Sequence, residues 1–147
     1  MNAPHRHWPA ITTPSAHFIA NRFIASASGA TLPMIDPSDG SAFAEIARGD
    51  ATDIDTAVGA AMSARDGAWG RLAAADRGRV LAKLSRAIGD HADELTLIEA
   101  RDCGKPLAQA RADVAACVRY FEFYAGAADK LAGTTIPYAT GFTVMTW

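Results

Sequence analysis

The sequence predicts an α/β chain that is mostly helical, with short β-strands leading and a further strand starting at the far end. Three observations carry this prediction. Between Phe18 and Ala47, extended runs of strand-forming residues are broken by dense turn chemistry. From Ile54 onward, apolar residues recur at steps of three and four, the repeat that aligns side chains on one helix face. After Gly133 the pattern changes again, and Phe142 to Trp147 alternate in β-prone residues.

Composition narrows the partners. The 147 residues suffice for one domain, and a chain of that size buries about 70% of the surface its unfolded form exposes. With 50% hydrophobic residues and a net charge of −2, there is no electrostatic reason to expect a nucleic acid or an anionic membrane as partner. No apolar run approaches the roughly 20 residues that cross a bilayer, and the first residues lack the apolar core of a signal peptide. The expectation is a cytoplasmic protein with Cys103 and Cys117 kept as thiols.

Residues 1–16 contain three prolines and no periodicity, and read as a disordered leader. His5 and His7, with no carboxylate or cysteine beside them, read as part of a solvated tail, not as a metal pair. Phe18 to Ala25 is a first extended run, Ser28-Gly29 a turn, and Leu32 to Asp36 a second run. The turn signal Asp36 to Gly40 and a third run, Ala42 to Ala47, follow. Thr52 with Asp55 resembles a capping box, opening a helix to about Arg65 whose buried stripe is Ile54, Ala57, Val58, Ala61 and Met62. Asp66-Gly67 ends it, and Trp69 and Leu72 lie in the connection.

The next helix runs from about Ala74 to His91 on Val80, Leu81, Leu84, Ala87 and Ile88, slightly weakened by Gly78 and Gly89. Its Arg77, Arg79, Lys83 and Arg86 read as a solvated face, because Asp76, Asp90 and Asp93 lie close and no glycine-rich loop precedes them. Asp93 is the expected N-cap of a third helix carrying Leu95 and Ile98, and Gly104 its stop. Pro106 suits the first position of a short helical turn. The longest helix is framed by Asp113 as N-cap and Gly133 as closing residue, with Val114, Cys117, Val118, Phe121, Tyr124, Ala125, Ala128 and Leu131 along its apolar face.

Several stretches resemble a known family. Glu99-Ala-Arg-Asp-Cys-Gly-Lys-Pro-Leu107, Asp113-Val114, Arg119-Tyr-Phe-Glu-Phe-Tyr-Ala-Gly126 and Asp129-Lys130 are similar to the N-terminal region of the aldehyde dehydrogenase family. Phe18-Ile19-Ala-Asn-Arg-Phe23 and Ile35 to Gly40 extend the resemblance over about residues 17 to 147. Two residues depart from the family wording: Cys103 stands in the Asp-Thr-Gly-Lys-Pro motif, and Asp36 stands where asparagine is more common.

The resemblance implies the N-terminal, mostly helical part of a Rossmann-like NAD(P)-binding domain, ending before its parallel sheet. In domain terms, the leader (1–16) is followed by the domain part (17–133) and by the start of an oligomerisation strand (134–147). Family chemistry is attack of a cysteine thiolate on an aldehyde, hydride transfer to NAD or NADP, and release of the carboxylate by water that a glutamate activates. The oxyanion asparagine, cofactor lysine and glycine-rich turn, base and nucleophile all lie beyond the region resembled. No catalytic or cofactor-binding residue is therefore named, and the 147-residue chain alone is expected to be inactive and to bind no cofactor.

The residues agree with that expectation. Cys103 falls at a helix C-terminus beside Asp102, which disfavours a thiolate, and Cys117 falls on an apolar stripe and reads as core. Neither a Gly-x-Gly-x-x-Gly nor a phosphate-binding Gly-Lys-Thr loop occurs. The aromatic group Tyr120, Phe121, Phe123 and Tyr124 lacks interleaved basic residues and reads as packing surface.

Two family features carry over by position. A monovalent cation held by backbone oxygens and an aspartate maps to Met34, Ile35 and Asp102, and assembly into a homo-oligomer maps to Phe142, Val144 and Trp147. An alternative of another class is a non-catalytic helical assembly module that associates with full-length dehydrogenase subunits.

Overall fold

The computed structural model describes residues 15–146, so positions 1–14 of the leader expected at residues 1–16, and Trp147, lie outside the described residues. The described chain opens on two antiparallel hairpins. β1 (His17–Ile19) pairs with β2 (Arg22–Ile24), and β3 (Thr31–Ile35) pairs with β4 (Ala42–Ala47). The run Phe18 to Ala25 is thus a hairpin and not one strand, because Ala20 and Asn21 both adopt positive φ (51° and 62°), the backbone that reverses a chain between twisted strands. Phe18 and Phe23 then face each other with ring centroids 5.1 Å apart. Opposite Met34 and Ile35 the second ladder slips, since Met34 pairs with Ala44 and Ile35 with Ala42. Phe43 is left as the extra residue of a bulge.

Four helices follow: α1 (Ala51–Asp66), α2 (Ala74–Asp90), α3 (Ala92–Cys103) and α4 (Leu107–Ala127). The cap of α1 is Asp50 with Asp53, two residues earlier than the Thr52 and Asp55 pairing. Asp50 Oδ1 accepts from the backbone N–H groups of Thr52 (2.8 Å) and Asp53 (3.2 Å), while Asp53 Oδ2 accepts from the backbone N–H of Asp50 (3.1 Å). Asp50→Ala is expected to lower stability by about 1 kcal/mol, the usual cost of deleting a side-chain N-cap. A urea unfolding curve of the protein carrying this chain, compared with wild type, measures it.

His91, shared between the end of α2 and the start of α3, takes the cap position expected for Asp93; Asp93 sits one turn position inside. Gly104 does end α3, in the left-handed conformation (φ +67°). The longest helix begins at Leu107 with Pro106 as its N-cap, so Asp113 is an interior residue and not a cap. It stops at Ala127, short of Gly133, and leaves Leu131 outside the helix and 93% exposed. The terminal strand is paired: β5 (Thr135–Ile136) and β6 (Val144–Met145) form a third antiparallel hairpin, with a turn at Gly141 (φ +87°).

α4 packs against both α2 and α3, and the core lies there. Its most buried residues are small: Ala100, Ala110 and Val114, with Thr96 beside them. The buried residues of α2 are Gly78 and Ser85, not the aliphatic stripe, because a close helix crossing admits only side chains of that size. Ser85 Oγ donates to the Val118 carbonyl at 2.9 Å and so satisfies itself inside the contact. α1 stands apart from this core. It touches β1, and its stripe of Ile54, Val58 and Met62 is 60%, 51% and 51% exposed, so an apolar face designed for burial is uncovered.

Candidate functional site

The turn between β3 and β4 meets the end of α3. Asp36 closes that turn through its own backbone, donating its N–H to the Ser41 carbonyl and accepting from Gly40 N–H, both at 2.8 Å. Its Oδ1 also accepts from the Ser38 N–H at 2.9 Å, the local bond that makes aspartate a turn former. Its Oδ2 faces Arg101 Nε at 3.4 Å, and the two side chains are 4% and 17% exposed. The guanidinium of Arg101 lies over the Phe43 ring, 4.3 Å from the centroid, so the bulged residue of β4 supplies one wall. Gly104 approaches Pro37 so closely that an added Cβ would sit 2.7 Å from Pro37 Cγ.

Met34 and Ile35 end β3 on one side of this contact, and Asp102 lies in the last turn of α3 on the other. Asp102 is exposed, Met34 half-buried and Ile35 exposed. Two backbone carbonyls beside a bulge and one carboxylate are hard oxygen donors, at a helix C-terminus whose dipole favours positive charge. This donor set fits a monovalent cation.

One turn further on, Lys105 joins α3 to α4. Its Nζ bonds Glu99 Oε1 at 2.5 Å and Asp113 Oδ2 at 2.9 Å. These carboxylates, Glu99 first, hold the ammonium well above the ordinary lysine range. Asp113 is therefore drawn to Lys105 instead of capping a helix. Cys103 is exposed, with its Sγ 3.9 Å from the same Glu99 oxygen. Cys117 is half-buried and lines an apolar cavity of about 330 Å³ with Ile88, Leu95, Ile98 and Val114.

A second polar cluster gave no signal in the sequence. Asp53, buried at the start of α1, accepts from Ala27 N–H (3.0 Å), Ser26 Oγ (3.3 Å) and Asp50 N–H (3.1 Å), and His17 Nε2 lies 3.5 Å away. The single Ser26 hydroxyl proton is shared between Asp53 Oδ2 and the Arg48 carbonyl, which lies 2.6 Å from Ser26 Oγ. Asp53 ties the first hairpin, the end of β4 and α1 together across more than twenty residues of sequence, a distance at which local spacing carries no information. The Asp50 backbone N–H, followed by those of Ala27 and the Ser26 hydroxyl, outweighs burial and holds the Asp53 carboxyl below the ordinary carboxylate range.

A group whose pKa is lowered by folding stabilises the fold above its unfolded pKa, about 3.9, and loses that contribution as pH falls through the lower native value. Stability should therefore fall with acid below about pH 4 to 5, and Asp53→Asn should flatten that limb. Unfolding midpoints measured from pH 7 to pH 2 for both proteins check this. An unchanged acid limb in Asp53→Asn would remove the assignment.

Phe142 and Val144 lie on the third hairpin; Phe142 is exposed and stacks edge-on with Tyr138 at 6.0 Å, and Val144 is half-buried. Trp147 lies outside the described residues. Met34 and Ile35 precede Asp36 in β3 and Asp102 follows Arg101 in α3, on either side of the Asp36–Arg101 contact, while Phe142 and Val144 lie on the third hairpin. Among the described residues no group of three or more His, Cys, Asp or Glu could hold a metal ion, and no helix is long and apolar enough to cross a membrane.

Residues 23–147 match the model of the aldehyde dehydrogenase family. Over 130 residues the chain is 42% identical to aldehyde dehydrogenase family 2 member B4, mitochondrial, of Arabidopsis thaliana, covering 87% of this chain and 24% of that protein. A solved chain from Burkholderia cenocepacia, provisionally assigned as an aldehyde dehydrogenase, superposes with a TM-score of 0.85 at 59% identity, covering 88% of this chain and 27% of that one. PnpE, solved in complex with nicotinamide adenine dinucleotide, superposes with a TM-score of 0.82 at 37% identity, over 89% of this chain and 27% of its own. The chain spans about a quarter of the length of these relatives.

Proposed function

The chain belongs to the aldehyde dehydrogenase family, and from that premise we propose that it forms the N-terminal portion of an NAD(P)-dependent enzyme that oxidises an aldehyde to a carboxylate. The match over residues 23–147 carries the reading. When bound, NAD or NADP accepts the hydride. This chain contributes a scaffold: the α2–α3–α4 block with the β3–β4 turn docked on α3, the nucleophile, the base and the cofactor cradle being supplied by sequence beyond these 147 residues. The uncovered stripe of α1 supports that division, because such a face is stable only when further structure covers it.

Within this reading, residues 1–16 are a leader, 17–133 the domain part and 134–147 the start of the assembly strand. Phe142, Val144 and Trp147 serve a homo-oligomer, and Met34, Ile35 and Asp102 hold a monovalent cation. The exposed ring of Phe142 supports the first, and the docking of the β3–β4 turn on α3 supports the second. The working location is the cytoplasm.

Two measurements test the reading. The purified 147-residue chain, mixed with aldehyde and NAD or NADP, is expected to give no rise in absorbance at the reduced-nicotinamide band, and measurable turnover would sink the proposed division. The intact mass of the native protein, captured from source cells with an antibody to the 113–131 region, is expected to be several times 15.4 kDa. A product at 15.4 kDa would favour the non-catalytic assembly module that associates with longer subunits.

A further inference from the structure

We propose that Arg101, held between Asp36 and the Phe43 ring, is a positioning residue that fixes the end of β3 against the last turn of α3 and so shapes the oxygen site at Met34, Ile35 and Asp102. The proposal rests on the cation reading above. The geometry supplies a reason why such a device is needed. The ladder slips between Met34 and Ile35, so strand pairing is irregular where these carbonyls lie. Asp102 belongs to a different element, a helix end that the strand must find and hold.

Two tethers do the holding, one on either side of Asp102. On the near side, Asp36 is locked into its turn by three bonds, to Ser38, Gly40 and Ser41, so whatever holds its second carboxylate oxygen also holds the end of β3. Arg101 provides that hold at 3.4 Å, and the bulge turns Phe43 under its guanidinium at 4.3 Å. On the far side, Gly104 seats Pro37 against the helix stop. The pair is also charge-neutral. An arginine alone next to a cation site would repel the ion, and Asp36 cancels it, so the clamp positions the oxygens without charging their surroundings. This gives a reason for Asp36 where the resembled family more often has asparagine: asparagine can close the same turn, but it cannot balance Arg101.

The test follows the thermal midpoint of the protein as isolated from its source against sodium chloride, and separately potassium chloride, with choline chloride holding ionic strength constant. Binding to the native state raises the midpoint in a saturable way. Wild type is expected to show that rise and Asp102→Asn to lose it. Asp36→Asn combined with Arg101→Met removes the clamp with no change in net charge. It is expected to raise the half-saturating cation concentration about tenfold or more, as loss of an outer support does at metal sites. Phe43→Leu, which keeps the ion pair and loses the ring, should raise it severalfold and serves if the double variant does not fold.

Half-saturation equal to wild type in the folded double variant, or in Phe43→Leu if the double variant is unfolded, overturns the role of the clamp and leaves the cation site standing. No saturable rise in wild type removes the cation site itself, and the proposal with it.

Discussion

Gly78→Val is expected to destabilise the protein by about 3 kcal/mol, the upper end of what forcing extra carbons into a packed contact costs. Gly78 lies on α2 where it crosses α4, and a Cβ there would stand 2.6 Å from the Ala125 carbonyl oxygen and 3.3 Å from Ala128 Cβ. The first of these is backbone and cannot step aside, so the helices must separate and the Ser85 to Val118 bond beside them must lengthen. Helix propensity pulls the other way by only about 0.5 kcal/mol for valine, and the clash wins. Gly89, on the same helix, has open space around its Cβ position. Gly89→Ala should therefore stabilise by up to about 1 kcal/mol. Equilibrium urea unfolding of the two variants and wild type checks both signs, and equal effects at the two positions would refute the close crossing.

Gly104→Val carries the second large effect, again about 3 kcal/mol. The left-handed backbone at φ +67° costs an L-residue roughly 1–2 kcal/mol, more when the side chain is β-branched. The new Cβ also meets Pro37 Cγ at 2.7 Å. Pro37 belongs to the turn that Asp36 and Arg101 clamp, so relief of the clash would shift β3 away from α3. Unfolding measurements should show a larger loss than in Gly104→Asn, since asparagine tolerates the left-handed conformation better than valine. A Gly104→Val protein as stable as wild type would mean that α3 does not end against this turn.

Much of the architecture was legible because it is written locally. Gly29, Gly40, Gly104 and Gly141 all take positive φ at turns or stops that their dipeptides announce. The helical repeats fixed α2 almost to its boundaries. The errors fall where a competing local partner or a distant one decided. Asp113 has good N-cap chemistry, yet Lys105 claims its carboxylate and the helix runs straight through it from Leu107. Thr52 and Asp55 satisfy the capping pattern, yet Asp50 and Asp53 satisfy it with two reciprocal bonds.

The candidate site was half legible. Met34, Ile35 and Asp102 were named from the resemblance, and the structure adds Asp36, Phe43 and Arg101, which lie on three separate elements or turns. Arg101 offers no spacing signal, since its partner is 65 positions away in a turn closed by its own bonds, and Phe43 meets it from the bulge of another strand.

What the sequence determined by itself is the set of elements, their turns and the family, because propensity, capping and motif spacing act over a few residues at a time. Only the tertiary structure decided which faces are used. It made Gly78 a packing requirement where local reasoning saw a weak helix position, left Ile54, Val58 and Met62 uncovered, and turned Asp53 and Arg101 into ties between distant segments. The physical reason is that burial and ion pairing depend on what arrives from elsewhere in the chain, and a residue's own neighbourhood does not encode that arrival.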